Sequence, residues 1–213
     1  MEDVNPNDVP ADPGVVLSCE TSPFTDEKCV PYREAIGSLM FLAVTTRPDI
    51  AFSVNMVSRF QANPGQLHWN AVKRIFKYLK ATSHYGIVYS PEDIDSFRLL
   101  GYSDADFAGD VDSRKSTSGY VFKISGGPVT WSTEKQSTVS TSTTEAEYIA
   151  ASTAVKELLW LVQLLKDLDE SEMCSGGVPL LIDNQSAIKL IKNPVFHRRS
   201  KHIDVRYHFI REK

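Results

Sequence analysis

Apolar positions recur at helical spacing between residues 32 and 89 and then give way to short apolar runs from residue 98 onward. The first stretch reads as helices, broken at Thr45-Thr46-Arg47-Pro48-Asp49, where Pro48 takes the first position of a new helix. The clearest helix covers about 66–81. Trp69, Val72, Phe76 and Leu79 fall on one stripe, while Lys73, Arg74, Lys77 and Lys80 lie on another face. Ahead of these helices, residues 1–30 hold four prolines and seven acids and read as an extended or disordered lead-in. The polar stretch from Ser90 to Ser96 marks a boundary.

Beyond it the pattern is that of strands. Residues 98–103 read as a strand ending in Asp104, residues 119–124 as a second, and Val129 to Ser132 as the start of a third, with Gly126-Gly127 as the turn. A helix follows over about 145–168, with Ile149, Val155, Leu158, Leu159, Val162 and Leu165 as its buried face. Leu180 to Ile182 reads as a short strand and 185–192 as a short helix. Ile203, Tyr207 and Ile210 share one side of a last helix. The expected fold class is α/β, a mixed sheet flanked by helices and preceded by a small helical segment.

Three carboxylates sit at the junctions of these elements: Asp104, Glu147 and Asp183. Oxygen ligands gathered from separate segments suit a hard divalent cation. A pair of such ions about 4 Å apart can clamp the attacking and leaving oxygens of a phosphodiester displacement. Each residue also has a structural reading. Asp104 can open a turn with Ala105-Asp106, Glu147 can close a capping box on Thr144, and Asp183 can stand near the N-cap of the helix that follows. Spacing alone leaves both readings open.

Composition narrows the field. The formal net charge is −4, so the whole chain is not a basic nucleic-acid binder. The charge is segregated, however. Residues 31–90 and 191–213 each hold seven bases against two acids, whereas 91–190 hold eight bases against sixteen acids. Basic segments beside an acidic, metal-seeking one suit a protein that grips phosphates, although solvated helix faces explain the same pattern. Cys19, Cys29 and Cys174 are scattered without CxxC spacing, which fits a reducing compartment rather than a disulfide or zinc scaffold. No membrane span and no signal peptide are expected, and the location expected is intracellular. His197, His202 and His208 lack the HExxH spacing of a zinc protease.

Four segments carry a resemblance. Tyr102-Ser103-Asp104-Ala105-Asp106-Phe107-Ala108-Gly109-Asp110, Arg114-Lys115-Ser116-Thr117-Ser118-Gly119-Tyr120, Ser142-Thr143-Thr144-Glu145-Ala146-Glu147-Tyr148 and Asp183-Asn184-Gln185-Ser186-Ala187 resemble the ribonuclease H domain of copia-type retrotransposon Pol polyproteins. Lys201 to Glu212 is similar to a further signature of that family. Tyr32 to Leu39 and Thr46 to Phe52 resemble the segment joining its reverse transcriptase to its ribonuclease H.

The resemblance implies a helical reverse transcriptase thumb/connection remnant over 31–90 and a ribonuclease H-like domain over 97–213, incomplete at its C-terminus. It implies that Asp104, Glu147 and Asp183 bind Mg²⁺ or Mn²⁺ and are catalytic, that Glu147 rather than Glu145 is the family glutamate, and that Gln185 touches substrate. The implied substrate is an RNA–DNA hybrid, read by backbone shape and the 2′-OH. The implied reaction is metal-dependent hydrolysis of its RNA strand. The implied partners are that hybrid and a polymerase region or longer Pol polyprotein. The sequence departs from the family in two ways. It holds no Tyr-x-Asp-Asp polymerase motif, and it ends before the fifth strand and the helix with a fourth aspartate; Asp204 is not assigned that role. A truncated fragment with weak or lost activity is therefore expected. A non-catalytic nucleic-acid-binding or interaction remnant, or an element-derived protein described as a secreted effector, is the alternative.

Overall fold

The computed structural model describes residues 5–20, 30–90 and 97–192. Asp204, the helix expected from Ile203 and the three C-terminal histidines lie outside them. The chain forms two compact units, dividing between Ile87 and Val88.

The first unit is helical: α1 (Tyr32–Thr45), a 3₁₀ turn (Pro48–Ile50), α2 (Ala51–Ser58) and α3 (Gln66–Ala81). Pro48 does open a new helical segment, but as a 3₁₀ turn feeding α2. Ile36, Leu39, Ile50, Val54, Val57, Val72 and Ile75 form the core. The buried stripe of α3 is His68, Val72, Ile75 and Tyr78, one position away from the expected line through Trp69, Phe76 and Leu79, which are only partly buried. The shift has a polar cause. The His68 ring is fully buried, stacks on Phe60 at 4.0 Å, and accepts the Gly65 N–H at Nδ1 (2.8 Å). Its Nε2 lies 3.1 Å from the Ser18 carbonyl. With Nδ1 accepting, Nε2–H donates, so one neutral tautomer meets both demands. That bond, the packing of Leu17 and an Asp12–Arg74 ion pair of 2.9 Å hold the lead-in against α3.

Arg47 is the polar centre of this unit. Its Nε and Nη2 donate to Asp49 at 2.9 and 2.7 Å, and Nη1 and Nη2 donate to the Thr82 carbonyl and hydroxyl at the end of α3. The Tyr78 hydroxyl donates to Asp49 at 2.8 Å, and the guanidinium lies over the Tyr78 and Tyr85 rings. A lysine keeps the charge but not the fork. Arg47→Lys is expected to destabilise this unit by about 2 kcal/mol, read from urea denaturation of the full chain.

The second unit is α/β. Strands β1 (Leu100–Asp106), β2 (Thr117–Ile124), β3 (Gly127–Lys135) and β4 (Leu180–Leu181) form one mixed sheet in the order β3-β2-β1-β4. β1 to β3 are antiparallel and β4 is parallel to β1. The hairpin turn is Ser125-Gly126, both at positive φ, one residue before the expected Gly126-Gly127. Two residues in that conformation match the twist of the flanking strands. Helix α4 (Thr143–Asp167) packs on β1 and β2, and α5 (Gln185–Lys192) packs on α4. Leu99, Phe122, Ala154, Leu161 and Leu165 fill the interface between sheet and helix, and complete burial of a side chain such as Phe122 contributes roughly 1.5–3 kcal/mol. Within α4, Ile149, Val155 and Leu165 are buried and Leu158 and Val162 partly buried, as expected; Leu159 is instead exposed, and Leu161, outside the expected face, is buried. By length and composition an 18-residue stretch of α4 is apolar enough to cross a bilayer, although no such run was expected; half of it is buried inside the unit. The mixed sheet flanked by helices bears out the expected fold class and is compatible with a ribonuclease H-like fold.

Candidate metal centre

β1 and the parallel β4 run toward the same end of the sheet, and α4 begins there. That arrangement brings Asp104, Glu147 and Asp183 together: one carboxylate oxygen from each lies within 4.8 Å of the other two. Asp104 is not at the end of its strand. β1 continues to Asp106, which pairs with Thr117, so Asp104 is held inside the ladder opposite Gly119. Asp183 lies two residues past β4, and Gln185 is exposed at the start of α5.

Neither Glu147 nor Asp183 is used as a cap. The N-cap of α4 is Ser142, whose hydroxyl accepts the Glu145 N–H at 3.1 Å. Glu145 reaches back to the Thr141 N–H at 2.7 Å and its hydroxyl at 2.8 Å. At α5 the Asn184 side chain accepts the Ala187 N–H at 3.0 Å. Caps are thus supplied by the neighbours, which leaves Glu147 and Asp183 for another purpose.

Support for the helix start comes from Gln136, a buried residue that nothing in the local sequence pattern singles out. Its amide donates to the Ser118 hydroxyl on β2 (2.9 Å) and to the Ala146 carbonyl on α4 (3.0 Å), while its oxygen accepts from Ser140 (2.9 Å). The residue before Glu147 is therefore tied to the sheet.

Asp104 and Asp183 are exposed, whereas Glu147 is 6% exposed. One Glu147 oxygen is held by the Ala105 N–H, and Oε2 is buried with no partner among the described residues. Burial, then the charges of Asp104 and Asp183, push the Glu147 pKa from 4.5 to about 7. At about 5 Å and an effective dielectric of about 20, each pair of ionised carboxylates repels by roughly 3 kcal/mol. An orphaned anionic oxygen beside two exposed carboxylates is the environment a cation relieves. Three hard oxygen donors fit Mg²⁺ or Mn²⁺.

Asp106 has a different fate. It turns into the loop 107–116, packed so closely on Gly109 that a Cβ there would overlap its carboxylate. In the same loop Asp110 is buried. Lys135 donates to it at 2.6 Å, and the Ser113 N–H and hydroxyl donate at 2.8 and 2.9 Å. Burial raises its pKa, but Lys135 and the Ser113 donors outweigh that and hold the carboxyl well below the usual range. Its folded pKa being depressed, its contribution is full at neutral pH and is lost as pH falls through the acid range. Asp110→Asn is expected to cost about 1.5 kcal/mol at pH 7 and less at pH 3, measured by denaturant titration at both pH values.

Comparison with known proteins gives the ancestry. The chain is 46% identical over its whole length to the retrovirus-related Pol polyprotein from transposon TNT 1-94 of Nicotiana tabacum, of which it covers 16%. It is 42% identical over 85% of its length to the corresponding polyprotein from transposon RE2 of Arabidopsis thaliana, covering 12% of it. It is also 50% identical over 134 residues, 63% of the chain, to secreted RxLR effector protein 161 of Plasmopara viticola, covering 93% of that protein. No family model and no solved structure matches the chain. It thus spans less than a fifth of the polyproteins it aligns with. The two plant elements align over most or all of its residues, and the chain belongs to the retrovirus-related Pol polyproteins of copia-type transposons.

Proposed function

We propose that this retrotransposon-derived chain is a ribonuclease H-type nuclease that hydrolyses RNA in RNA–DNA hybrids, in place of the weak or lost activity expected from sequence alone. The observation that carries the reading is the buried, partnerless Glu147 oxygen within 4.8 Å of two exposed carboxylates. Asp104, Glu147 and Asp183 would hold the divalent ion. When bound, the ion would stabilise charge at the phosphoryl group and lower the pKa of an attacking water. The protein's own residues set the geometry. The Ala105 N–H orients Glu147, Gln136 fixes the start of α4, and the ladder to Gly119 fixes Asp104. Gln185, exposed two residues past Asp183, is assigned the contact with the hybrid. Helices 31–90 are assigned to the connection next to a polymerase, 97–213 to the nuclease domain, and the setting to the cell interior.

A second reading, a non-catalytic interaction protein, draws on the identity to an effector-named relative over nearly all of that relative. Incubating the full chain with hybrid, single-stranded RNA and duplex DNA, each strand labelled separately, decides between them. Cleavage confined to the RNA of the hybrid is expected. Hybrid binding without any cleavage, in Mg²⁺ and in Mn²⁺, would favour the interaction reading.

A further inference from the structure

The loop 107–116 is more tightly built than a connection between two antiparallel strands requires. Ala108 and Arg114, neither of them glycine, sit at φ 54° and 56°, a conformation that costs a β-carbon residue roughly 1–2 kcal/mol. A wired interior holds them there. The Ala108 N–H donates to the Ser116 hydroxyl (3.1 Å), the Asp110 N–H to the Lys115 carbonyl (3.2 Å) and the Arg114 N–H to the Asp110 carbonyl (2.7 Å). The buried Asp110 side chain anchors the loop to Lys135 on β3. Strain that the surroundings over-determine gathers where a fixed geometry is needed.

What this scaffold carries is two adjacent cations. Arg114 is exposed and Lys115 half-buried, and neither pairs with a carboxylate among the described residues. The loop leaves β1 at Asp106, two residues after Asp104, and returns at Thr117, so it stands at the end of the sheet where the three carboxylates meet. Acidic side chains alone would repel a polyanionic substrate, and a cation fixed beside them offsets that. We propose that Arg114 and Lys115 are phosphate-gripping residues of this site, binding the nucleic-acid backbone next to the scissile position.

The inference rests on the nuclease reading and is tested apart from cleavage. The full chain carrying Asp104→Asn is titrated against a fluorescent RNA–DNA hybrid at several salt concentrations. Adding Arg114→Ala and Lys115→Ala together is expected to weaken binding about tenfold at low salt and to lower the slope of log affinity against log salt by about 2. Returning lysine at 114 in that double variant should restore about half of the slope, and melting temperatures keep folding out of the comparison. If the parent binds hybrid and the double variant binds it equally, with the same slope, the inference is overturned and the nuclease reading stands. If the parent binds no hybrid at any salt, the nuclease reading falls and takes this one with it.

Discussion

Glu147→Gln is expected to make the metal-free protein more stable at pH 8 while removing its response to Mg²⁺. The folded pKa of Glu147 is raised to about 7 from 4.5. Between those values the folded chain keeps a proton that the unfolded chain releases. The wild-type protein therefore loses stability as pH rises through that window, by about 3 kcal/mol in all. Glutamine has nearly the shape of the protonated acid and carries no charge at any pH. The variant should show little of this slope and exceed the wild type by about 3 kcal/mol above pH 7.5. Mg²⁺ acts in the opposite sense. It binds the ionised folded form, so it raises wild-type stability at pH 8 and flattens the slope. Thermal melts across pH 4.5–8.5, with EDTA or with Mg²⁺, measure both effects. A wild type whose stability rises from pH 5 to 8 in EDTA would contradict the electrostatic account of the site.

Asp104→Asn should abolish most hydrolysis, whereas Asp106→Asn should not, although the two lie on the same strand two residues apart. Asp104 contributes an oxygen to the triad, while Asp106 is folded onto Gly109 in the loop. A ligand that supports several kcal/mol of charge stabilisation is expected to cost at least about 100-fold in rate when its charge is removed. Loosening the loop through Asp106 should cost less than about tenfold. Initial rates on a hybrid at saturating Mg²⁺, with circular dichroism to show that both variants fold, make the comparison. Equal losses would mean that the triad has been assigned to the wrong aspartate.

Much of the site was legible in sequence because its signals are local. The bounds of α3 and α5 follow from short-range patterning, whereas spacing only placed the three carboxylates at element junctions and the family resemblance implied their shared role. The ambiguities arose where two local patterns compete. Ser142-Thr143-Thr144-Glu145 and Thr144-Glu145-Ala146-Glu147 both satisfy a capping rule; the Ser142 hydroxyl takes the Glu145 N–H, so α4 adopts the first register, and Gln136 ties its start to the sheet through Ala146. Likewise Trp69 and His68 both sit on plausible stripes of α3. The buried one is the histidine, because Gly65 and Ser18 satisfy both its ring nitrogens. The Asp110–Lys135 pair spans 25 residues and the Arg47–Thr82 contact spans 35. No spacing rule reaches so far, so the polar interior that holds the loop and the helical unit became visible only in three dimensions.

Asp104, Glu147 and Asp183 are proposed to form one metal site that acts on RNA paired with DNA. Its most direct test is the rate of RNA-strand cleavage in a hybrid by the purified 213-residue chain, with Mn²⁺ or Mg²⁺, beside the Asp104→Asn protein. Cleavage of the RNA strand alone is expected, stopped by EDTA and lost in the variant. Cleavage that persists unchanged in Asp104→Asn or in EDTA, or none by the folded wild type in either metal, would contradict it.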